Sequence, residues 1–107
     1  MTRYGMAIGL KPEAELEYRK QHAAVWPEVL EMIQLCHIRN YSIYLRDCTL
    51  FSYFEYDGTD FDADMARMAA DPATQRWWAL MMPMQSPLPG RKDGAWWAEM
   101  EEVFHLD

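Results

Sequence analysis

An α+β fold of element order β-α-β-β-α-β is predicted by three features of the chain. Runs of alternating apolar and polar residues stand near the start, twice in the middle and at the end. Stretches with helical spacing separate the first run from the second and the third from the last. The two central runs are joined by Asp47-Cys48 alone, which leaves room only for a hairpin. Alternation of this kind gives an antiparallel sheet with both helices on one face, the ferredoxin-like arrangement.

Each element has its own signal. Arg3–Leu10 alternates Tyr4, Met6, Ile8 and Leu10 with small or polar residues and reads as the first strand. Lys11-Pro12 opens the first helix, with proline where its missing N–H does no harm. Glu13, Glu15 and Glu17 then place negative charge near the positive end of the helix dipole. Leu16, Val25, Val29, Leu30, Ile33 and Leu35 carry the helical period to about Cys36, and Pro27 should kink or divide that helix. His37–Arg46 and Thr49–Tyr56 are the hairpin strands. Asp57-Gly58-Thr59-Asp60 is a turn ending in a helix cap, ahead of a helix over Phe61–Ala70. Asp71-Pro72 restarts a short helix carrying Gln75, Arg76, Trp77 and Trp78. Residues 83–94, with three prolines and two glycines, are expected to form a loop, and Glu99–Leu106 a last strand. The open face of the sheet, expected to carry Tyr, Met, Phe and Ile side chains, must be covered or wet. A homodimer packed sheet against sheet around a pocket, a dimeric α/β barrel, is the expected solution.

The 107 residues make one domain, spanning 1–107, with a single modest core. A net charge of −7 disfavours nucleic acid, anionic membranes and polyanionic substrates, because binding them rests on Lys and Arg. It leaves a neutral small molecule open. The longest uncharged stretch, Trp77–Gly90, is broken by Gln85, Ser86 and three prolines and cannot span a membrane. Met1-Thr2-Arg3-Tyr4-Gly5 runs straight into a strand without the features of a secretory leader, so a cytoplasmic protein is expected. Cys36 and Cys48 lack C-x-x-C spacing and are expected to be free buried thiols.

Tyr18, His22 and Trp26 recur every four residues and so share one helical face. A lone histidine in a polar stretch such as Arg19-Lys20-Gln21 is commonly just solvated, but two flanking aromatics turn this face toward a pocket. An imidazole there can give and accept a proton near neutrality. Five tryptophans and six tyrosines supply flat surfaces that suit the C–H faces of a sugar ring. Adjacent Trp77 and Trp78 point about 100° apart, so one packs inward while the other needs a partner or ligand. Tyr41 and Tyr44, three apart on a strand, should face opposite sides. Trp96 and Trp97, beside a Gly/Pro-rich loop, read as a lid or a dimer contact before they read as substrate contacts. His22, His37 and His105 lie far apart without a zinc-helix signature, and phosphate-binding, dinucleotide-binding and serine-nucleophile motifs are missing. Acid–base chemistry without metal or cofactor is the expected class.

The run Tyr18-Arg19-Lys20-Gln21-His22-Ala23-Ala24-Val25-Trp26-Pro27-Glu28 resembles the Y-x-x-x-H-x-x-x-W-P-E signature of the L-rhamnose mutarotase family. Asn40-Tyr41-Ser42-Ile43-Tyr44-Leu45, Gln75-Arg76-Trp77-Trp78 and Val103-Phe104-His105-Leu106 resemble its further motifs, in order along nearly the whole chain. The resemblance implies a dimer, no cofactor, and interconversion of the α and β anomers of a 6-deoxy-hexose. It implies His22 as proton donor, with Tyr18, Tyr41, Trp77 and Trp78 meeting the sugar. The second acid–base group is expected to be Tyr18, with Glu102 or a water as alternatives.

Rhamnose-type members carry a stretch close to N-P-D-N-S-P after the tryptophan helix. Here the chain reads Met81-Met82-Pro83-Met84-Gln85-Ser86-Pro87-Leu88-Pro89. Exchanging groups that hydrogen-bond particular hydroxyls should change the sugar. With Trp96-Trp97 added, the chain resembles the L-fucose-using branch, and L-fucose is expected ahead of L-rhamnose. Two other classes share such a scaffold: a sugar-binding domain without catalysis, and a small dimeric-barrel monooxygenase.

Overall fold

The computed structural model describes all 107 residues. Four antiparallel strands lie in the order β2-β3-β1-β4, and a fifth, β5, shares the outer edge of β1 with β4. The strands are β1 (Thr2–Leu10), β2 (Ile38–Arg46), β3 (Thr49–Tyr56), β4 (Gln85–Ser86) and β5 (Ala98–Met100). The helices are α1 (Glu15–His22), α2 (Pro27–Leu35), α3 (Phe61–Ala70) and α4 (Pro72–Met81). The last strand of the predicted order is thus made in two short pieces, and both helical regions are divided.

The divisions have local causes. Proline disfavours a helical residue before it, and Trp26 is extended (φ −58°, ψ 133°), so Pro27 begins α2 instead of kinking one long helix. Asp71 is extended ahead of Pro72 for the same reason and caps α4, accepting from the Thr74 N–H and hydroxyl at 2.9 Å each. Asp60 caps α3 through the Ala63 N–H at 3.1 Å. Asp47 and Cys48 both hold positive φ, 49° and 59°, the form a two-residue hairpin turn requires.

Side-chain parity sorts the sheet into two faces. Tyr4, Ile8 and Leu10 of β1 and Leu50, Ser52, Phe54 and Tyr56 of β3 point toward the helices, where Val29, Trp77, Met81 and Met84 close the main core cluster. A second cluster of Ile38, Phe54 and Tyr56 packs under Phe61, Met65 and Met68 of α3. The opposite face carries Arg3, Gly5, Ala7 and Gly9 beside Phe51, Tyr53, Glu55, Ser42 and Tyr44. The sequence places Met and Ile on that open face; Met6, Ile8 and Ile43 lie under the helices instead, Met100 opposite Gly5 stays on the open face, and Tyr44, Phe51 and Tyr53 give it aromatic character.

Other expectations are corrected by exposure. Leu16, read as part of the apolar stripe, is 85% exposed. Cys36 is buried, but Cys48 at the hairpin tip is only half-buried, and both are free. The predicted last strand pairs only over Ala98–Met100, and residues 101–107 run on without a ladder, leaving Val103, Phe104 and Leu106 exposed. No helix is long and apolar enough to cross a membrane.

Candidate active site

The end of α1 presents the expected site residues Tyr18 and His22. Glu15 and Glu17 in its first turn and Arg19, Lys20 and His22 in its last match the helix dipole. Glu15–Arg19 (3.1 Å) and Glu17–Gln21 (2.7 Å) pairs tie its solvent side. The other side presents Tyr18 and His22, whose rings stack with centroids 4.1 Å apart. Trp77 of α4 meets His22 edge-on at 5.4 Å and Trp26 edge-on at 5.2 Å. The four-residue spacing of Tyr18, His22 and Trp26 therefore converges on one aromatic wall, although the helix itself stops at His22.

His22 has a defined tautomer. Its Nδ1 lies 2.9 Å from the Tyr18 carbonyl, which can only accept, so Nδ1 carries hydrogen and the neutral ring has its lone pair on Nε2. Burial lowers the His22 pKa, against an opposing hydrogen bond to that carbonyl, so the ring favours its neutral form. Burial raises the Tyr18 pKa, opposed by a hydrogen bond from Gln85, so the phenol keeps its proton at neutral pH. A neutral imidazole stacked on a protonated phenol is a base beside an acid.

These groups line a cleft of about 450 Å³ between α1 and β2, with Tyr18, Arg19, His22 and Ala23 on one side and Ile43, Tyr44, Leu45 and Leu50 on the other. That volume suits a small-molecule site. The cleft lies within the chain, between the sheet and its helices. A second cleft, of about 370 Å³, lies at the β2–β3 hairpin tip; it shares Tyr44 and Leu45 but contains neither Tyr18 nor His22.

Tyr41 is not among the residues lining this cleft and lies beside an irregularity of β2. The register shifts between Arg39 and Ser42, with Asn40 in the left-handed region (φ 50°) and its amide donating to Glu55 at 2.8 Å. Such a bulge re-aims a side chain. Tyr41 turns to the helix side, edge-on to Phe54, while Tyr44 stacks on Phe51 across the open face. Tyr41 exposes 43% of its surface; desolvation, and then the nearby Tyr18, push its pKa up to about 12. Trp77 is buried and Trp78 is 39% exposed, so the pair divides as its helical spacing requires.

Sequence reasoning missed Gln85. It is buried, donates to the Tyr18 hydroxyl at 3.3 Å, and accepts from the Trp96 indole N–H at 2.8 Å. Residues 83–94, expected to be loop throughout, hold one 3₁₀ turn at Met82–Met84 and the two-residue strand β4 that delivers Gln85. Gly9 permits this approach: a Cβ there would stand 2.6 Å from the Ser86 carbonyl oxygen. Trp96 and Trp97 pack against the core of their own protomer. Glu102, the alternative acid–base candidate, makes a two-pronged bond to Arg3 (2.8 and 3.0 Å) on the opposite face of the sheet. That partner pulls its pKa down.

The sequence profile of the L-rhamnose mutarotase family matches residues 3–106. L-rhamnose mutarotases from Phocaeicola vulgatus and Opitutus terrae are 35% and 32% identical, each over the whole of both chains. One from Listeria monocytogenes is 33% identical over 99% of each chain. Among solved structures, an L-rhamnose mutarotase from Formosa agariphila superposes over the full length of both chains with a TM-score of 0.79 at 22% identity. The tetracenomycin F2 cyclase of Streptomyces glaucescens, a type-II polyketide cyclase, does so with a TM-score of 0.72 at 13% identity. The fold therefore serves more than one chemistry; it is the sequence match, running over nearly the whole chain, that makes this chain a member of the L-rhamnose mutarotase family.

Proposed function

We propose that the protein interconverts the α and β anomers of a free 6-deoxy-hexose, L-fucose ahead of L-rhamnose, by acid–base catalysis from its own side chains. Family membership makes it a carbohydrate enzyme of the isomerase type. The observation that carries the catalytic reading is the stacked Tyr18–His22 pair, with one ring favouring its neutral form and the other holding its proton.

In this reading Nε2 of neutral His22 removes the proton of the anomeric hydroxyl. The C1–O1 bond becomes a carbonyl, the C1–O5 bond breaks, and the Tyr18 hydroxyl gives its proton to O5. Rotation about C1–C2 presents the other face of the aldehyde. O5 attacks C1, returns its proton to Tyr18, and the imidazolium donates its proton to O1. His22 is thus the donor in ring closure, and the enzyme emerges unchanged. Positioned acid–base help of this kind contributes ~10²–10⁴-fold. Tyr41 and Trp78, with open ring surface, and Trp77, buried against His22, are proposed to meet the apolar face and 6-methyl group of the sugar.

The preference for L-fucose rests on residues 81–89. Rhamnose-type members have an Asn- and Asp-rich stretch there; this chain supplies Gln85 against Tyr18 instead. L-Fucose and L-rhamnose differ in configuration at C2 and C4, so polar groups around the ring decide between them. A homodimer is proposed because Tyr44 (62%), Phe104 (79%) and Leu106 (79%) are more exposed than a monomer needs. A cytoplasmic setting accords with two thiols left free.

Saturation-transfer NMR on the anomeric protons of both sugars, with and without protein, tests the proposal. Faster exchange for L-fucose than for L-rhamnose is expected. Acceleration of L-rhamnose alone would overturn the sugar preference, and acceleration of neither would overturn the catalytic reading.

A further inference from the structure

We infer that Gln85, locked in orientation by Trp96, is a positioning residue that aims the Tyr18 proton at the substrate and steadies the Tyr18 oxygen when that proton leaves. This rests on the acid role proposed for Tyr18. An indole nitrogen can only donate, so the 2.8 Å bond from Trp96 Nε1 fixes the Gln85 amide with its oxygen toward Trp96. Its NH₂ group must then face the Tyr18 hydroxyl, 3.3 Å away. Receiving a hydrogen bond there, the hydroxyl oxygen is an acceptor toward Gln85 and its own hydrogen points elsewhere. The cleft lined by Tyr18 and His22 gives that hydrogen a direction to point.

The same N–H becomes stronger as catalysis proceeds. When Tyr18 gives its proton to O5, negative charge builds on the phenol oxygen, and a hydrogen bond to a charged acceptor is roughly twice as strong as one to a neutral group. The amide cannot relax away, because Gln85 is buried and its strand is clamped on β1 through Gly9 and Leu10. The relay thus joins three elements that are remote in sequence: α1, β4 and the segment leading into β5.

The test uses Gln85→Met, which keeps bulk but removes both amide groups, and Trp96→Phe, which keeps the ring and removes only the N–H. Each is made in wild-type and Tyr18→Phe backgrounds, with kcat and KM for L-fucose and L-rhamnose taken from NMR exchange rates. Gln85→Met is expected to lower kcat about tenfold to a hundredfold with KM little changed. Trp96→Phe is expected to lower it roughly threefold to tenfold. Neither should reduce the rate further once Tyr18 is Phe, because the effect acts through that hydroxyl. Equal losses in both backgrounds, a change in KM alone, or no change would overturn the inference. Circular dichroism shows whether Gln85→Met is folded; if it is not, Trp96→Phe decides. A wild-type protein inactive on both sugars would instead overturn the functional proposal on which this rests.

Discussion

The two ends of the site are built in opposite ways. At the α1 end, Tyr18 and His22 come from one turn of one helix, and their contact follows from four-residue spacing. At the β4–β5 end, Gln85 reaches Tyr18 across 67 positions of sequence and is held by Trp96, in a segment with almost no regular structure. The groups proposed to do chemistry stand on a regular element; the group proposed to steady them comes from a two-residue strand. Local physics explains the first arrangement, and only tertiary packing explains the second.

The largest expected effect breaks the α1 end. His22→Ala should lower the exchange rate by about 10²–10⁴-fold while the fold persists, because the ring is only half-buried and lies outside both core clusters. NMR exchange beside circular dichroism checks both halves. A folded variant that retains full rate would remove His22 from the mechanism.

Next comes the tryptophan pair, where one helix serves both ends. Trp77 is buried among core residues and braces His22, so Trp77→Ala should destabilise the fold by about 3–5 kcal/mol and lower the rate as well. Trp78→Ala, at an exposed position, should cost roughly 0.5 kcal/mol or less in stability and act mainly on KM. Urea unfolding separates the two; equal destabilisation would mean that Trp78 is packed by something other than a sugar.

The contrast also marks what the sequence made legible. Strand β3, helix α3, the Asp60 cap, the restart at Asp71-Pro72 and the Asp47-Cys48 turn were readable because each depends on neighbours in the chain. So was the aromatic face of α1. Gln85 was hidden because a two-residue strand has no period, and the signal that admits it, Gly9 on β1, lies far away. The opposed Tyr41 and Tyr44 followed from their three-residue spacing, whereas the bulge that puts Ile38 and Tyr41 on one face was silent, since a one-residue register shift leaves no trace in alternation. The last strand was read too long because Val103, Phe104 and Leu106 alternate as a strand does while no neighbouring strand pairs with them.

The pH dependence sharpens the α1 end further. Burial sets the folded His22 pKa below the unfolded value, so across the window between them the unfolded chain binds more protons. Stability contributed by this group is therefore complete above the ordinary histidine range and falls as pH drops toward the lowered value. Rate should follow the same direction, since the neutral ring is the base for ring opening. The acid limb of the rate profile should sit below the ordinary histidine midpoint; a limb above it would mean that a charged partner, not burial, governs the ring.

The smallest effect tests the far face of the sheet. Arg3 and Glu102 continue the antiparallel register of β1 and β5 past the last ladder bond, which explains why the pair forms where the strand has ended. Arg3 holds the Glu102 carboxyl below its ordinary pKa, so the pair contributes above the usual carboxylate range and is lost as pH falls through the lowered value. Glu102→Gln should lower the melting temperature only slightly, because exposed ion pairs contribute little. It should leave the exchange rate and its pH profile unchanged. The sheet lies between Glu102 and the Tyr18–His22 pair, so a carboxylate there has no path to the anomeric centre within one protomer. A large loss of rate in this variant would therefore require the C-terminal segment of one protomer to reach the cleft of its partner, and would make the site a shared one.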